Sequence, residues 1–241
     1  MTLENNTILI TGGTSGIGYE LGKALLEKDN MVILLGRKEH RLEALRKMGF
    51  ETIKCDIGNP DEIEEAVVQI QNKYPDLNIL FNNAGVQYNY VLTETFTSAN
   101  TIINEININL TGQIVLTQLL LPVLSTSSKA LIVNTTSALG AYPKDDGLVY
   151  SATKAAMHNF NQGLKDLLKD SSIDVVEFIP PVTDTGMTSS RDEKKMSTRD
   201  LVERIIPQIE NRKSVATVTS IRMFLWIAFL FPGLARKILS K

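Results

Sequence analysis

Short apolar runs rich in β-branched residues alternate with helix-length segments along most of this chain. The runs predict strands at 7–11, 31–35, 51–54, 78–82, 130–134 and 173–179, and helices at about 16–28, 39–48, 60–73, 98–124 and 148–169. Most of the runs are continuously apolar, which is typical of parallel strands covered on both faces. The pattern therefore predicts an α/β fold with a single Rossmann-type, doubly wound parallel sheet and helices on both faces.

Length and composition narrow the class of protein further. A chain of 241 residues suits one such domain over 1–241, and its formal net charge of −2 gives no general attraction for nucleic acid. With one cysteine, Cys55, and two histidines, neither an internal disulfide nor a metal site is expected. The polar start at 1–6 has no signal-peptide core, and no apolar run reaches the roughly 18 residues of a spanning helix. We therefore expect a cytoplasmic protein.

A glycine-rich loop, TGGTSGIG at 11–18, follows the first strand directly and opens the first helix. Glycine permits a tight turn and lets backbone N–H groups approach a pyrophosphate at the positive end of a helix. Glycines also collect in ordinary turns, but the position between strand and helix favours dinucleotide binding. The residues predicted to hold the phosphates are Gly12, Thr14, Ser15, Gly16, Ile17 and Gly18.

The end of the second strand predicts which dinucleotide binds. It reads Gly36-Arg37-Lys38, with no carboxylate before Glu39. An acid here would bind the ribose 2′-hydroxyl of NAD, whereas an arginine can pair with the 2′-phosphate of NADP. A solvated basic turn is the alternative. NADP(H) is favoured over NAD(H), with Arg37 as the selecting residue.

Two Tyr-x-x-x-Lys pairs occur, Tyr19/Lys23 and Tyr150/Lys154. Residues at this spacing share a helix face, and a nearby ammonium lowers a phenol's pKa from its usual value of about 10. The phenol can then exchange a proton near neutral pH. Tyr19 directly follows the glycine loop, and its pair is interpreted as coincidence. The second pair, after the fifth strand, is the catalytic candidate.

Together these motifs resemble the classical short-chain dehydrogenase/reductase family over about 7–186. The glycine loop is similar to the family's first motif, and Asn82-Asn83-Ala84-Gly85 is similar to its fourth-strand motif. Ser137, thirteen residues before Tyr150, stands where the family keeps its catalytic serine. The double proline Pro180-Pro181, with Asp-Thr-Gly shortly after it, resembles the DltE-like bacterial branch.

The resemblance implies a role for each catalytic residue. Tyr150 exchanges a proton with the substrate oxygen, and Ser137 hydrogen-bonds the same oxygen. Lys154 binds the nicotinamide ribose and keeps the tyrosine pKa low, while Asn109 helps anchor a water between Lys154 and solvent. Further implied cofactor contacts are Asp56, which faces the adenine, and Ile57, Asn82, Asn83, Ala84, Gly85, Tyr150, Lys154, Pro180, Thr183 and Thr185. Pro181 departs from the family's glycine at that position and should stiffen the turn.

The C-terminal part fits the family least. The polar stretch 183–197 predicts a mobile loop over the substrate pocket. Residues 215–218 could add a seventh strand, and the apolar C-terminal segment 221–241 follows. Its apolar run 223–231 is flanked by Arg222 and by Arg236/Lys237. We expect this run to be a helix buried in a subunit interface or over the pocket. Contact with a membrane surface is the alternative.

These observations predict an NADP(H)-dependent oxidoreductase that interconverts a small-molecule carbonyl and a secondary alcohol by hydride transfer. One alternative is a nucleotide-binding regulator with little turnover, although such a protein needs none of Ser137, Tyr150, Lys154 and Asn109. Another is a membrane-surface reductase of a lipid-like substrate. The resemblance also implies a homodimer or homotetramer.

Overall fold

Within residues 2–239, seven strands form one parallel sheet, and every predicted strand is among them. They are β1 (Thr7–Thr11), β2 (Met31–Gly36), β3 (Glu51–Lys54), β4 (Leu77–Asn82), β5 (Ala130–Thr135), β6 (Ile173–Ile179) and β7 (Val215–Thr217). The strand order is β3-β2-β1-β4-β5-β6-β7, and all neighbours pair in parallel. The winding reverses between β1 and β4, where open α/β sheets bind ligands at the carboxyl ends of the strands. The predicted doubly wound sheet is confirmed.

The computed structural model describes residues 2–239. Its helices are α1 (Gly16–Leu26), α2 (Glu39–Arg46), α3 (Pro60–Lys73), α4 (Ala99–Ile106), α5 (Gly112–Leu124), α6 (Leu148–Leu167), α7 (Thr198–Glu210), α8 (Thr219–Leu230) and α9 (Pro232–Leu239). The prediction omits α7, whose interior Pro207 masks the helical spacing of its buried residues. The ends of the predicted ranges 1–241 and 221–241 lie outside the described residues.

The segment predicted as one helix at 98–124 contains a change of helix type. A π-helical turn at Asn107–Thr111 joins α4 to α5. By length and composition alone Ala99–Leu124 could cross a membrane, contrary to the expectation that no segment is apolar enough. In the fold, however, α5 packs against α3 and β4, and α4 packs against α6. The apolar character of this segment is explained by its place on one face of the sheet.

Two apolar clusters cover the two faces of the sheet. Successive residues of β1 point to opposite sides: Ile8 and Ile10 belong to the cluster that includes residues of α1 and α7, and Leu9 belongs to the cluster that includes residues of α3 and α5. All three side chains are fully buried. Burial on both faces explains why the strand sequences are continuously apolar.

Candidate active site

The glycine loop connects β1 to α1 in a backbone conformation that glycine adopts readily. Gly12 has φ +65° and Gly16 has φ +55°. A Cβ on Gly12 would lie 2.8 Å from Cα of Ala84, closer than real contacts allow. The N-cap of α1, Ser15, makes no side-chain capping bond. The amino end of α1 is therefore available to an anion, as a phosphate cradle requires.

The hydroxyl of Thr11 ties the end of β1 to the segment after β4. It accepts hydrogen bonds from the backbone N–H groups of Asn83 and Ala84, both at 2.9 Å. The Asn83 amide in turn donates to the Thr11 carbonyl at 3.1 Å. This network holds the glycine loop beside the fourth-strand motif, of which Asn83 and Gly85 border the main cavity.

Asn82, predicted as a cofactor contact, has a different place. Its side chain is fully buried, and its amide donates to Thr117 Oγ1 at 2.8 Å and to Asn134 Oδ1 at 2.9 Å. These bonds join β4 to α5 and β5, so the amide group is used inside the fold. The prediction that Asn82 contacts the cofactor is wrong for its side chain.

The residues beyond β2 and β3 form an exposed polar edge. The Arg37 guanidinium pairs with the Asp56 carboxylate at 3.3 Å, and both side chains are partly exposed. Glu39, the first acid after β2, pairs instead with Arg46 at 2.9 Å. The neighbouring Ile57 is buried. Arg37 and Asp56 thus lie together, as two contacts to one adenosine half would require.

A cavity of about 770 Å³ opens at the carboxyl ends of the central strands. Its volume is typical of a small-molecule site. The predicted site residues that border it are Ile17, Asn83, Gly85, Ser137, Tyr150, Lys154, Pro180, Thr183 and Thr185. The catalytic candidates from β5, α6 and the connection between them therefore meet in one cavity.

Lys154 is buried beside Tyr150. Its Nζ donates to the Thr135 carbonyl at 2.8 Å and lies 5.7 Å from the centre of the Tyr150 ring. Because burial disfavours the charged form, the pKa of the Lys154 ammonium falls to about 8. Lys154 remains protonated at neutral pH while its charge is held out of water.

The pKa of Tyr150 is raised above its usual value. Burial is the largest cause, and the hydrogen bond with Ser137 and the charge of Arg191 oppose it. The prediction that Lys154 brings this pKa below its usual value is therefore wrong in this structure: burial outweighs the groups that favour tyrosinate. Tyr150 is a protonated phenol at neutral pH, which is the form that donates a proton.

Asn109 lies in the π-helical turn and is fully buried. Its amide donates to the Val86 carbonyl and accepts from the Val86 N–H, both at 2.8 Å, and it also donates to Thr153 Oγ1 at 3.3 Å. A Cβ on Gly85 would lie 3.4 Å from Asn109 Oδ1 and 3.8 Å from Lys154 Nζ. Asn109 therefore fixes the segment Gly85-Val86, and Gly85 lies between Asn109 and Lys154. π-Turns are frequent at functional sites.

The loop 183–197 borders the cavity, as predicted, and is fastened at its base. Asp184 N–H donates to the Met196 carbonyl at 2.8 Å, and Met196 N–H donates to the Val182 carbonyl at 2.9 Å. The Thr183 hydroxyl donates to the carbonyl of Pro181, the residue that replaces the family's glycine, at 2.8 Å. These bonds hold the start and the end of the loop together at the cavity.

Sequence reasoning missed two charged residues that influence the pKa of Tyr150, of which Arg191 borders the cavity and Glu105 lies behind it. Arg191 in the loop donates to Gln87 Oε1 at 2.7 Å and pairs with Glu193 at 3.4 Å, and it borders the cavity. Glu105 in α4 is fully buried, and burial raises the pKa of its carboxyl. The sequence signal for Arg191 was its position in a loop expected over the site. The signal for Glu105 was that it is an isolated acid in an apolar helix.

The other Tyr-x-x-x-Lys pair is structural, as interpreted from the sequence. Tyr19 packs against Phe50 with ring centroids 6.4 Å apart, while Lys23 is exposed. Neither borders the cavity among the residues described around it.

The apolar C-terminal segment folds into α8 and α9, which pack against each other. Ile221 and Phe224 of α8 and Ile238 of α9 border the cavity. The expectation that the run 223–231 is a helix is met by α8, and Phe224 brings one side of it to the pocket. The expected burial of the run is wrong for the chain as described, because most of its large apolar side chains are exposed. Its opposite face is exposed in the chain as described.

Comparison with known proteins identifies similar chains. The family model described as short chain dehydrogenase matches residues 6–196. The curated oxidoreductase DltE of Bacillus subtilis (strain 168) is 39% identical over 208 residues, covering 83% of this chain and 81% of that protein. An oxidoreductase of Staphylococcus aureus (strain USA300) is 27% identical over 220 residues, covering 88% and 94%.

Solved structures share the fold over nearly the whole chain. A short-chain dehydrogenase from Burkholderia cenocepacia J2315, in complex with NADP, has a TM-score of 0.89 at 21% identity and covers 100% of both chains. One from Sphingobium yanoikuyae, in complex with NADPH, has a TM-score of 0.83 at 25% identity and covers 98% and 95%. One from Burkholderia phymatum, in complex with NAD, has a TM-score of 0.83 at 20% identity and covers 95% and 96%.

Proposed function

Because this chain belongs to the short-chain dehydrogenase family of oxidoreductases, we propose that it is an NADP(H)-dependent enzyme that reduces a carbonyl or oxidises the matching secondary alcohol. The observation that carries the proposal is the meeting of Ser137, Tyr150 and Lys154 on one cavity at the carboxyl edge of the sheet. A nucleotide-binding protein without turnover has no use for a buried ammonium beside a phenol.

Tyr150 is the proton donor in the direction of reduction. Its raised pKa keeps the hydroxyl protonated at neutral pH, and its Oη gives the proton to the substrate oxygen. The reduced nicotinamide, when bound, supplies the hydride to the carbonyl carbon, so that one hydride and one proton convert the carbonyl to an alcohol. Alcohol oxidation runs the same proton transfer in reverse and is favoured at higher pH.

Ser137 and Lys154 support this transfer from two sides. The Ser137 hydroxyl accepts from the Leu139 N–H and borders the same cavity as Tyr150, so it can donate its proton to the substrate oxygen and orient it. The Lys154 ammonium uses one proton on the Thr135 carbonyl and has others for a ribose hydroxyl. Its charge also stabilises the tyrosinate that remains after the proton has left.

The residues of the glycine loop fit a dinucleotide. The amino end of α1, uncapped by Ser15, would hold the pyrophosphate, and the polar edge at Arg37 and Asp56 would hold the adenosine half. Known structures of similar fold include complexes with NADP and with NAD, so the preference must be argued from this chain. Arg37 and Lys38 are cationic, and the first acid after β2 in the sequence, Glu39, is paired with Arg46. To bind a 2′-phosphate, Arg37 gives up an exposed ion pair, which is worth little.

The test is a thermal-shift titration of the purified protein with NADPH and with NADH. Ligand at 100 times its Kd stabilises the native state by about 2.7 kcal/mol. We expect saturation at lower NADPH than NADH concentration, and Arg37→Ala should remove most of the difference. Arg41→Ala, an exposed arginine in α2, is the matched control. Equal affinities in the unmodified protein would contradict the NADP preference.

NADPH oxidation with a panel of aldehydes and ketones then tests the reaction itself. Turnover that Tyr150→Phe abolishes supports the oxidoreductase. Tight NADPH binding without turnover on any carbonyl or alcohol would instead support the regulator.

A further inference from the structure

Helix α8 has apolar side chains on both of its faces. Ile221 and Phe224 face the cavity, while Met223, Trp226 and Phe229 are 61%, 62% and 80% exposed. Met223, Trp226 and the exposed Leu230 follow one another at spacings of three and four residues, so they share one side of the helix. A surface helix ordinarily presents polar residues to water on that side. The outer face of α8 is therefore built for contact with something apolar.

The exposed apolar surface continues into α9. Phe231 and Leu234 are also exposed, and with Leu230 they extend the outer face of α8. Ile238 is partly exposed as well, but it borders the cavity. Among residues 2–239, seven of the sixteen large apolar side chains that are exposed fall between 223 and 238. Single exposed apolar residues are normal, but a concentration of this kind marks an interaction surface. We call residues 219–239 the C-terminal hairpin.

The charge of this part of the chain is opposite to that of the rest. Residues 211–241 contain six Lys and Arg and no Asp or Glu, whereas residues 1–210 contain 19 basic and 27 acidic residues. Within the hairpin, Arg222, Arg236 and Lys237 are exposed beside the apolar side chains. An apolar helix face bordered by cations is complementary to a bilayer with anionic headgroups.

We propose that the C-terminal hairpin docks the protein on the surface of an anionic phospholipid bilayer. A two-fold contact between two hairpins would bring Arg222, Arg236 and Lys237 of both copies to one interface, and the hairpin has no acid to offset them. The twelve residues of α8 rise about 18 Å, well short of the roughly 30 Å hydrocarbon core. The helix α8 therefore lies in the headgroup region of the bilayer and does not cross the hydrocarbon core.

Docking in this orientation explains why one hairpin has two apolar faces. Its inner side chains, Ile221, Phe224 and Ile238, form part of the cavity wall, and its outer side chains enter the lipid. The cavity then adjoins the bilayer, and its substrate class is an amphiphilic carbonyl compound with a hydrocarbon tail. This last step rests on the proposed oxidoreductase function, whereas docking does not.

Trp226 supplies the measurement because it is the only tryptophan in the chain. Its fluorescence is recorded with vesicles of phosphatidylcholine containing phosphatidylglycerol, and with vesicles of phosphatidylcholine alone. We expect a blue shift with the anionic vesicles and quenching by brominated acyl chains. No shift with anionic vesicles would overturn the proposal. A shift that depends on protein concentration without lipid would also overturn it, since the face would then join two copies.

Matched variants separate the two contributions to docking. Phe229→Ser with Phe231→Ser should abolish vesicle binding, whereas Phe96→Ser with Leu167→Ser, which removes side chains that are 98% and 76% exposed elsewhere, should not. Neutralising Arg222, Arg236 and Lys237 to Gln should weaken partitioning roughly a hundredfold at low salt. The control neutralises Arg41, Lys47 and Lys169, which are exposed outside the hairpin. Equal losses in hairpin and control variants would contradict docking by this face.

Activity assays distinguish docking from the proposed function. Reduction of butanal without vesicles tests the oxidoreductase alone, and vesicle binding needs neither cofactor nor turnover. Anionic vesicles should raise kcat/KM for dodecanal but not for butanal, and the Phe229/Phe231 variant should lose that increase. Vesicle binding with no reduction of any carbonyl would reject the function and its substrate class but keep the docking.

Discussion

The two halves of the sheet's carboxyl edge are built in different ways. Over β1 and β4, the Thr11 hydroxyl and the Asn83 amide hold backbone segments together, and the polar groups of this network are hydrogen-bonded to one another. Over β5 and β6, Lys154 and Tyr150 are ionisable groups whose pKa values burial shifts. Over β1 and β4, side chains fix the shape of a backbone surface. Over β5 and β6, side chains hold ionisable groups out of contact with water. The difference predicts that substitutions in the two halves change different measurable quantities.

The largest effect is expected from Tyr150→Phe. Loss of the proton donor should lower kcat about a thousandfold, while the Kd for NADPH stays within about twofold because the ring and the glycine loop are unchanged. Single-turnover kinetics and equilibrium titration measure the two quantities separately. If kcat fell less than about tenfold, another group would be the donor.

Lys154→Met should stabilise the free protein while removing activity. Burial of the ammonium lowers its pKa from 10.5 to about 8, which corresponds to about 3 kcal/mol of unfavourable free energy in the native state at neutral pH. Loss of the bond to Thr135 offsets part of this, so we expect a net gain of about 2 kcal/mol in urea unfolding at pH 7.

The sign of the pH dependence checks the cause of that gain. Below pH 8, Lys154 is charged in both the native and the unfolded state, and the full penalty applies. Between pH 8 and 10.5 only the unfolded state holds the proton, so the stability of the unmodified protein rises with pH and the advantage of Lys154→Met shrinks. A constant difference from pH 7 to 10 would contradict the pKa explanation. Lys47→Met, at an exposed position, should show no such dependence.

Two glycine substitutions should shift stability in opposite directions. Gly12→Ala places a Cβ 2.8 Å from Cα of Ala84 at φ +65° and should cost about 1–2 kcal/mol and weaken NADPH binding. Gly163→Ala, inside α6 with nothing within 4 Å of the added Cβ, should stabilise by about 0.5–1 kcal/mol. Denaturant unfolding of both variants measures the effect. Stabilisation by both substitutions would show that the glycine loop tolerates a side chain, and destabilisation by both would contradict the expected gain in α6.

The smallest effect is expected from Arg191→Gln. The Arg191 charge favours tyrosinate, so its removal should raise the pKa of Tyr150 further. The alkaline limb of the kcat profile for carbonyl reduction should therefore move to higher pH by a fraction of a unit. Arg199→Gln, at an exposed arginine in α7, is the control. A shift toward lower pH would show that Arg191 acts on Tyr150 through something other than its charge.

The strands and the meeting of Ser137, Tyr150 and Lys154 could be predicted because both depend on local sequence. A continuously apolar run indicates a strand that is buried on both faces. The position of each motif after its strand indicates which strand end carries it. Arg191 and Glu105 could not be predicted, since the path of a long loop and the packing of α4 bring them to the site. The Tyr150 pKa was predicted in the wrong direction for the same reason: spacing shows a neighbouring ammonium, whereas burial depends on the whole fold.

The π-turn at Asn107–Thr111 shifts the angular register of the sequence between α4 and α5. A π-turn holds one residue more than the α-helix needs, so the residues on either side of it follow two different angular registers. Deleting one residue there would leave a continuous α-helix in which α4 and α5 keep their orientations, but it would remove the turn that carries Asn109. Asn109 would then lose its two hydrogen bonds to Val86, whereas α5 would keep its packing on α3. Related chains that keep this asparagine should therefore also keep the extra residue.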